Sequence, residues 1–288
     1  MEAEADLRYG FVLPWGDART AAEFAHATEQ AGWDGFFVWE PVWGIDAWVA
    51  LTAAAMLTSR IRLGTMLTPL SRMRPWKLAS ETATLDNLSG GRVILAVGLG
   101  AVDSGFAAFG EVTDRVQRAE LLDEGLEILN RLWAGEPFSF PGVHYQVNLT
   151  KDNFFTPIPP SPVQKPRIPI WVVGAWPSQK SMRRVLRYDG LLPNVIGGDG
   201  KVRMSPATPD EVREMAAFIR ANRSESESKN VPFDIIVEGR TPGNDLGKAV
   251  ATTRPYAEAG ATWWIEAQWT EPDMQKVLAR LRQGPPLG

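Results

Sequence analysis

The sequence contains no cysteine and two histidines among its 288 residues. The absence of cysteine excludes disulfide bonds, thiolate nucleophiles and cysteine-bound zinc. A histidine-rich metal site is excluded as well, because His26 and His144 are far apart in the chain and both are expected to be structural. We therefore predict an active site without a metal ion.

The sequence also lacks a run of charge of one sign and a long hydrophobic run. Its 30 basic and 34 acidic residues are mixed along the chain, so there is no basic stripe for nucleic acid and no polybasic membrane anchor. The N-terminal stretch MEAEADLRYG is acidic, and no later stretch approaches the ~18 apolar residues of a membrane span. These absences predict a cytoplasmic protein whose partners are small molecules rather than nucleic acid or membrane.

Short apolar runs rich in β-branched and aromatic residues recur along the chain and predict eight β-strands. They cover residues 9–13, 35–39, 61–67, 93–97, 168–173, 190–192, 233–237 and 262–265. Most are continuously apolar, which is typical of strands covered on both faces.

Helical patterns lie between these strands. Pro75 fits a first helical position and Gly90 a left-handed stop, while Thr208 and Glu211 form a capping-box pattern. The longest amphipathic pattern covers residues 116–133. Alternation of strand and helix predicts a parallel sheet, and eight units favour a closed (β/α)₈ TIM barrel over an open doubly wound sheet. We expect residues 1–288 to form one barrel domain.

The regular alternation is interrupted once, between residues 136 and 169, where eight prolines exclude a long helix. Such a proline-rich insertion fits either a lid over the barrel mouth or a surface arm that packs or dimerises. The polar run 223–230 is interpreted as a solvated loop.

Barrels of this kind carry their active site at the carboxyl ends of the strands. Glycines follow the fourth and fifth predicted strands, at Gly98, Gly100 and Gly174, where exposed backbone N–H groups can hold a phosphate. Twelve tryptophans stand against four tyrosines, and several lie at these strand ends. This combination favours a planar cofactor that carries phosphate.

Three carboxylates, Glu40, Glu238 and Glu266, also fall at strand ends. Burial of Glu40 between Trp39 and Trp43 would raise its pKa and make it a candidate proton donor; the alternative is a structural ion pair with an arginine. A pair of glutamates among aromatic residues also fits a hydrolytic barrel, so that alternative stays open.

Four stretches of the sequence resemble one known family. They are IRLGT at 61–65 followed by Thr68-Pro69, LSGGRV at 88–93 running into VGLG at 97–100, RAELLDEGLEILNRLW at 118–133, and PIWVVG at 169–174. The chain is similar to the luciferase-like monooxygenase superfamily, which includes FMN-dependent monooxygenases and F420-dependent oxidoreductases.

The resemblance implies a (β/α)₈ barrel that binds a reduced flavin or deazaflavin across the strand ends, and a homodimer. It also implies a non-proline cis peptide at Thr65-Met66 behind the cofactor. The residues expected around the cofactor are Trp39, Glu40, Thr65, Met66, Thr68, Gly98, Leu99, Gly100, Gly174, Ala175 and Trp176. The substrate pocket is expected to include Trp15, Trp43, Asn194, Glu238 and Glu266.

Two departures from the family pattern bear on the reaction. Where many members carry Asp-His, this chain has Glu40-Pro41, and where sugar-phosphate dehydrogenases carry a glutamate it has Ala101. Glu40 is therefore the candidate catalytic residue, and oxidation of a sugar phosphate is not expected. The tryptophans instead favour an apolar or aromatic substrate.

The leading hypothesis is an oxidoreductase that uses reduced FMN and O₂ to oxygenate a small organic molecule. FMN is favoured because the sequence shows no basic cluster for the polyglutamate tail of F420, although Arg72, Arg74, Arg183 and Arg184 keep F420-dependent hydride transfer open. An FMN enzyme of this kind is expected to depend on a separate flavin reductase. A flavin-binding protein without catalysis is a further alternative, since the strand-two histidine is missing.

Overall fold

The computed structural model describes residues 7–153, 160–223 and 232–287. Within these ranges, eight parallel strands form a barrel, and all eight predicted strands are present. In chain order they are β1 (Arg8–Leu13), β2 (Gly35–Val38), β3 (Arg62–Thr65), β4 (Val93–Gly98), β5 (Ile170–Trp176), β6 (Gly190–Val195), β7 (Asp234–Gly239) and β8 (Trp263–Ala267).

The barrel is closed because its first and last strands pair. Arg8 of β1 lies opposite Trp263 of β8, and Gly10 of β1 lies opposite Gly35 of β2. The remaining strands pair in chain order, all in parallel. The predicted (β/α)₈ barrel is thus confirmed, and the open doubly wound sheet is excluded.

Helices cover the outside of the barrel. They are α1 (Ala18–Gln30), α2 (Ala47–Met56), α3 (Pro75–Ser89), α4 (Arg115–Ala134), α5 (Gln179–Val185), α6 (Pro209–Asn222), α7 (Leu246–Ala259) and α8 (Met274–Arg282). Their ends follow the sequence signals: Thr208 and Glu211 form the capping box of α6, and Gly90 ends α3 with a φ of 68°. No helix in the described ranges is long and apolar enough to span a membrane.

The lower part of the barrel interior is filled by aromatic side chains. Phe37, Trp171 and Trp263 are fully buried, and the Trp171 ring centroid lies 5.4 Å from each of the other two. Along each strand, alternate residues point outward into the larger core beneath the helices. Several tryptophans of this chain are therefore packing residues, and side chains fill the barrel interior below the strand ends.

The described part of the proline-rich segment, residues 136–153 and 160–169, packs on the outside of the barrel. Its β-hairpin pairs Phe138–Pro141 with Gln146–Leu149. Glu124 of α4 accepts hydrogen bonds from the backbone N–H groups of Val143, His144 and Tyr145, at 2.8 to 3.0 Å.

Of the two alternatives, the described part of this segment fits the surface arm and not the lid, because α4 holds the hairpin and none of its described residues lines the cavity at the strand ends. Residues 154–159 of the insertion and 224–230 of the predicted polar loop lie outside the described residues.

Candidate active site

A cavity of about 1180 Å³ opens at the carboxyl ends of the strands, where the active site was predicted. Its deeper wall is apolar and aromatic, with Glu40 as the acidic member. These residues are Trp39, Glu40, Met66, Leu67, Pro69, Val173, Ala175 and Trp269. The cavity is large enough for a cofactor and a small substrate together.

The outer wall on the β4 to β6 side is strongly basic. Its cationic residues are Arg115, Arg118, Lys180, Arg184 and Lys201, against two acidic lining residues in the whole cavity, Glu40 and Asp103. Arg184 pairs with Asp123, with Nε 2.5 Å from Oδ1. Among the described residues, Arg115, Lys180 and Lys201 have no ion-pair partner. The wall therefore presents net positive charge to a ligand.

Arg118 of α4 binds the turn after β4 by hydrogen bonds. Its Nη1 donates to the carbonyl oxygens of Leu99 and Gly100 at 2.8 and 2.9 Å. Gly100 has a φ of +76°, and a Cβ there would lie 2.6 Å from the ring of Phe106. Within the described chain, the backbone N–H groups of Gly100 and Ala101 donate to no other group. Free N–H groups beside a guanidinium fit a phosphate.

Arg118 has a further unused donor. Its Nε is buried and has no hydrogen-bond partner within the described residues. A buried guanidinium N–H without an acceptor costs free energy, so an anion at this place would satisfy it. The residues present thus fit a cofactor that carries phosphate.

Glu40 follows β2 and lies at the deep end of the cavity, with its side chain 9% exposed. Thr68 Oγ1 donates to Glu40 Oε2 at 2.6 Å, and Arg72 Nη2 lies 3.6 Å from Oε1. Burial raises the pKa of Glu40 to about 7; the Thr68 hydrogen bond and Arg72 oppose the rise, while Asp46 and Glu81 add to it. At neutral pH this carboxyl group can therefore hold or release a proton.

The chain turns away from the sheet behind this carboxyl group. Met66 N–H still donates to Val38 O at 2.9 Å, so β3 remains paired as far as that peptide. The non-proline cis peptide consequently lies at Met66-Leu67, one residue later than the predicted Thr65-Met66. Met66 and Leu67 both line the cavity.

The predicted cofactor residues divide into three groups. Trp39, Glu40, Met66, Leu99, Gly100 and Ala175 line the cavity. Thr65, Thr68 and Gly98 are buried directly behind that lining. The Trp176 side chain faces away from it, which corrects the predicted place of that side chain, whereas a phosphate contact from the backbone at Gly174 stays a prediction.

The reason for this correction is the alternation of side chains along β5. Val173 and Ala175 point into the cavity, so the residues next to them point outward. A Cβ on Gly174 would contact Leu191, and the Trp176 ring packs 5.6 Å from Phe218 of α6.

The predicted substrate residues are also dispersed. Asn194 lines the cavity, whereas Trp15 and Trp43 do not line it and are 48% and 82% exposed. Glu238 lies behind Trp269, whose Nε1 donates to Glu238 Oε2 at 3.1 Å. Burial raises the pKa of Glu238 as well.

Glu266 does not belong to the cavity, and its predicted place is corrected. It is fully buried and faces outward from β8, between inward-facing Ile265 and Ala267. It accepts hydrogen bonds from Thr241 and pairs with Arg280 of α8 at 3.3 Å. Glu266 is a structural carboxylate, so a hydrolytic pair that includes it is excluded.

The sequence interpretation named Arg184 but missed the other four cations of the basic wall, and it also missed Trp269. Arg118 lies inside one of the family-like stretches, but Lys180 and Lys201 are isolated cations in loops and short helices. They become neighbours of one cavity because β4, β5 and β6 are adjacent.

Comparison with known proteins agrees with this architecture. The model of the luciferase-like monooxygenase family matches residues 4–245. A Mycobacterium tuberculosis protein named as a coenzyme F420-dependent oxidoreductase is 36% identical over 155 residues, covering 52% of this chain and 44% of that protein. The matched part of the chain thus spans less than half the length of that relative.

Two solved structures share the fold. The coenzyme F420-dependent tetrahydromethanopterin reductase from Methanopyrus kandleri has a TM-score of 0.76 at 17% identity, covering 98% of this chain and 99% of that one. The FMN-bound oxygenating constituent of 3,6-diketocamphane monooxygenase from Pseudomonas putida has a TM-score of 0.64 at 20% identity, covering 81% and 67%. With the family match over residues 4–245, the chain belongs to the luciferase-like monooxygenase family, whose members are flavin- or F420-dependent oxidoreductases.

Proposed function

We propose that this protein is an F420-dependent oxidoreductase that acts on a small, uncharged substrate. The observation that carries the proposal is the basic outer wall, where four of the five cationic side chains have no ion-pair partner among the described residues and the fifth, Arg184, is paired with Asp123. This reverses the preference for FMN drawn from the sequence, because the basic cluster forms only when distant residues meet.

F420 supplies hydride transfer when it is bound, and it carries a phosphate and a tail of glutamates. The backbone N–H groups of Gly100 and Ala101, together with Arg118, offer donors for one phosphate. One phosphate does not need all the cations of this wall. Besides Arg118, three of them lack ion-pair partners among the described residues: Arg115, Lys180 and Lys201. Their charge would offset the carboxylates of such a tail.

The deep end of the cavity suits the substrate. Trp39 and Trp269 provide flat apolar surface, and Glu40 provides a carboxyl group with a pKa of about 7. A protonated Glu40 can donate its proton to a substrate oxygen, and the carboxylate can take it back in the reverse direction. Arg72, the cationic residue beside Glu40, already donates to the Pro41 carbonyl, and no other described residue of this wall is cationic, which disfavours an anionic substrate.

An FMN-dependent monooxygenase is the second candidate. It is favoured by the apolar deep wall, where Met66, Leu67, Val173 and Trp269 would limit the access of water to a reactive intermediate. It leaves the unpaired cations of the outer wall without a ligand.

The test is a fluorescence titration of the purified protein with F420 and with FMN, for the wild type and for a Lys180→Gln/Lys201→Gln double variant. We expect F420 to bind more tightly than FMN, and the double variant to weaken F420 binding by about 10-fold and FMN binding by less than about 3-fold.

The matched control is Lys248→Gln/Lys276→Gln, which removes the same charge from exposed positions on α7 and α8. Tighter binding of FMN, or equal losses in both double variants, would refute the proposal.

A further inference from the structure

Glu40 lies at one end of a chain of buried hydroxyl groups. Thr68 Oγ1 is 2.6 Å from Glu40 Oε2 and 3.0 Å from Thr65 Oγ1. Thr65 Oγ1 in turn lies 3.2 Å from the carbonyl oxygen of Ala96 on β4. Both threonines are fully buried, so their hydroxyl groups exchange hydrogen bonds with protein atoms rather than with bulk water.

The single proton of the Thr68 hydroxyl cannot serve both neighbours at once. When Glu40 is a carboxylate, Thr68 donates to Glu40. When Glu40 is protonated on Oε2, Glu40 donates to Thr68, Thr68 donates to Thr65, and Thr65 donates to the Ala96 carbonyl. Each state satisfies every donor, and the change between them needs only rotation of hydroxyl groups.

We infer that Thr68 and Thr65 form a reversible hydrogen-bond relay that holds the proton of Glu40 between turnovers, with Thr68 and Thr65 as positioning residues. The inference rests on the proposed function, in which Glu40 would give this proton to a substrate oxygen, with the hydride for the attached carbon coming from the reduced cofactor when it is bound. The O–H bond of Glu40 breaks and a substrate O–H bond forms. The resulting carboxylate then accepts a hydrogen bond from the Thr68 hydroxyl group.

Charged groups on three other elements also face Glu40. Arg72, in the turn before α3, lies near Oε1 and donates to the Pro41 carbonyl at 2.6 Å. Asp46, the N-cap of α2, and Glu81 of α3 act on the carboxyl group with the opposite sign. These groups contribute to the pKa of Glu40 in the wild type and in the threonine variants alike. The relay makes a separate prediction about the two threonines.

The two threonines should shift the pKa of Glu40 in opposite directions. Thr68→Val removes the donor to the carboxylate and also the acceptor of the protonated form. Because the hydrogen bond to the charged form is the stronger of the two, the pKa should rise by about 1 pH unit. Thr65→Val leaves the Thr68 hydroxyl without an acceptor only when Glu40 is protonated, so the pKa should fall by about 0.5 unit. If Thr68 only donated to Glu40 and formed no relay with Thr65, the pKa would rise in Thr68→Val but would not fall in Thr65→Val.

The experiment is a ¹³C NMR pH titration of glutamate carboxyl carbons in the protein without cofactor, with the Glu40 signal assigned by its loss in Glu40→Gln. Thr68→Ser and Thr65→Ser retain the hydroxyl groups and should restore the wild-type pKa. Thr28→Val is the matched control, because Thr28 is fully buried in α1 and donates to Phe24 O at 2.7 Å.

Opposite shifts that the serine variants reverse would support the relay. No fall of the pKa in Thr65→Val, or shifts of the same sign, would overturn it. Because no cofactor is added, this result is independent of the F420 titration, and either proposal can fail alone. Circular dichroism of each variant identifies one that does not fold, in which case the corresponding serine and alanine variants are titrated instead.

Discussion

Replacement of Glu40 by glutamine should stabilise the protein at pH 8 but not at pH 4.5. Burial raises the pKa of Glu40 from 4.5 to about 7. Between these values the unfolded chain releases the proton and the folded chain retains it, so the stability contributed by Glu40 falls as the pH rises toward 7. At about 1.4 kcal/mol per pKa unit, the loss is about 3 kcal/mol.

Glutamine removes this loss because it stays neutral, and its amide can keep a hydrogen bond with Thr68. The measurement is urea unfolding of both proteins at pH 4.5, 6, 7 and 8. The difference in the free energy of unfolding, variant minus wild type, should increase by about 3 kcal/mol from pH 4.5 to pH 8. A difference that does not change with pH would refute the reasoning.

Glu266→Gln is the matched control for this series. Glu266 is also a fully buried strand-end glutamate, but it pairs with Arg280 and accepts hydrogen bonds from Thr241. Its replacement leaves the guanidinium of Arg280 without a counter-charge, so we expect a loss of about 3 kcal/mol or more at pH 8. The two glutamates should thus respond with opposite signs.

Three further predictions concern the turn after β4 and the ends of helices. Gly100→Ala should lower the free energy of unfolding in urea by about 2 to 3 kcal/mol, because Gly100 has a positive φ and the new Cβ would collide with Phe106. Gly110→Ala is the control: Gly110 has a similar φ but open space around it, so the loss should be about 1 kcal/mol. Equal losses in the two variants would show that Phe106 moves aside at no cost. Arg118→Met should raise the Kd for F420 at least about 10-fold in fluorescence titrations, since the Leu99 and Gly100 carbonyls lose their donor; an unchanged Kd would place the phosphate elsewhere. Thr208→Ala should remove the N-cap hydrogen bond of α6 and lower the free energy of unfolding by about 1 kcal/mol, seen as a lower thermal midpoint. Thr208→Ser keeps the hydroxyl group and should restore the midpoint.

Much of the fold could be predicted from the sequence because its signals are local. Apolar runs, capping residues and helix-stopping glycines each depend on a few neighbours in the chain, and the eight predicted strands and the ends of α3 and α6 are confirmed. The strand ends also located the cavity, since a parallel barrel brings all eight to one face. The homodimer, the reductase partner and the single domain over residues 1–288 stay predictions.

The sequence alone determined the barrel, the order of its strands and the set of residues at the strand ends. Only the tertiary structure decided which of these residues line the cavity. Alternation along β5 and β8 turns the side chains of Trp176 and Glu266 outward, and a boundary error of one residue is enough to reverse such an assignment. The charge of the cavity was equally hidden, because Arg115 and Lys201 are 86 positions apart and meet only when the barrel closes. The pKa of Glu40 likewise depends on burial and on Thr68, Arg72, Asp46 and Glu81, which no local pattern brings together.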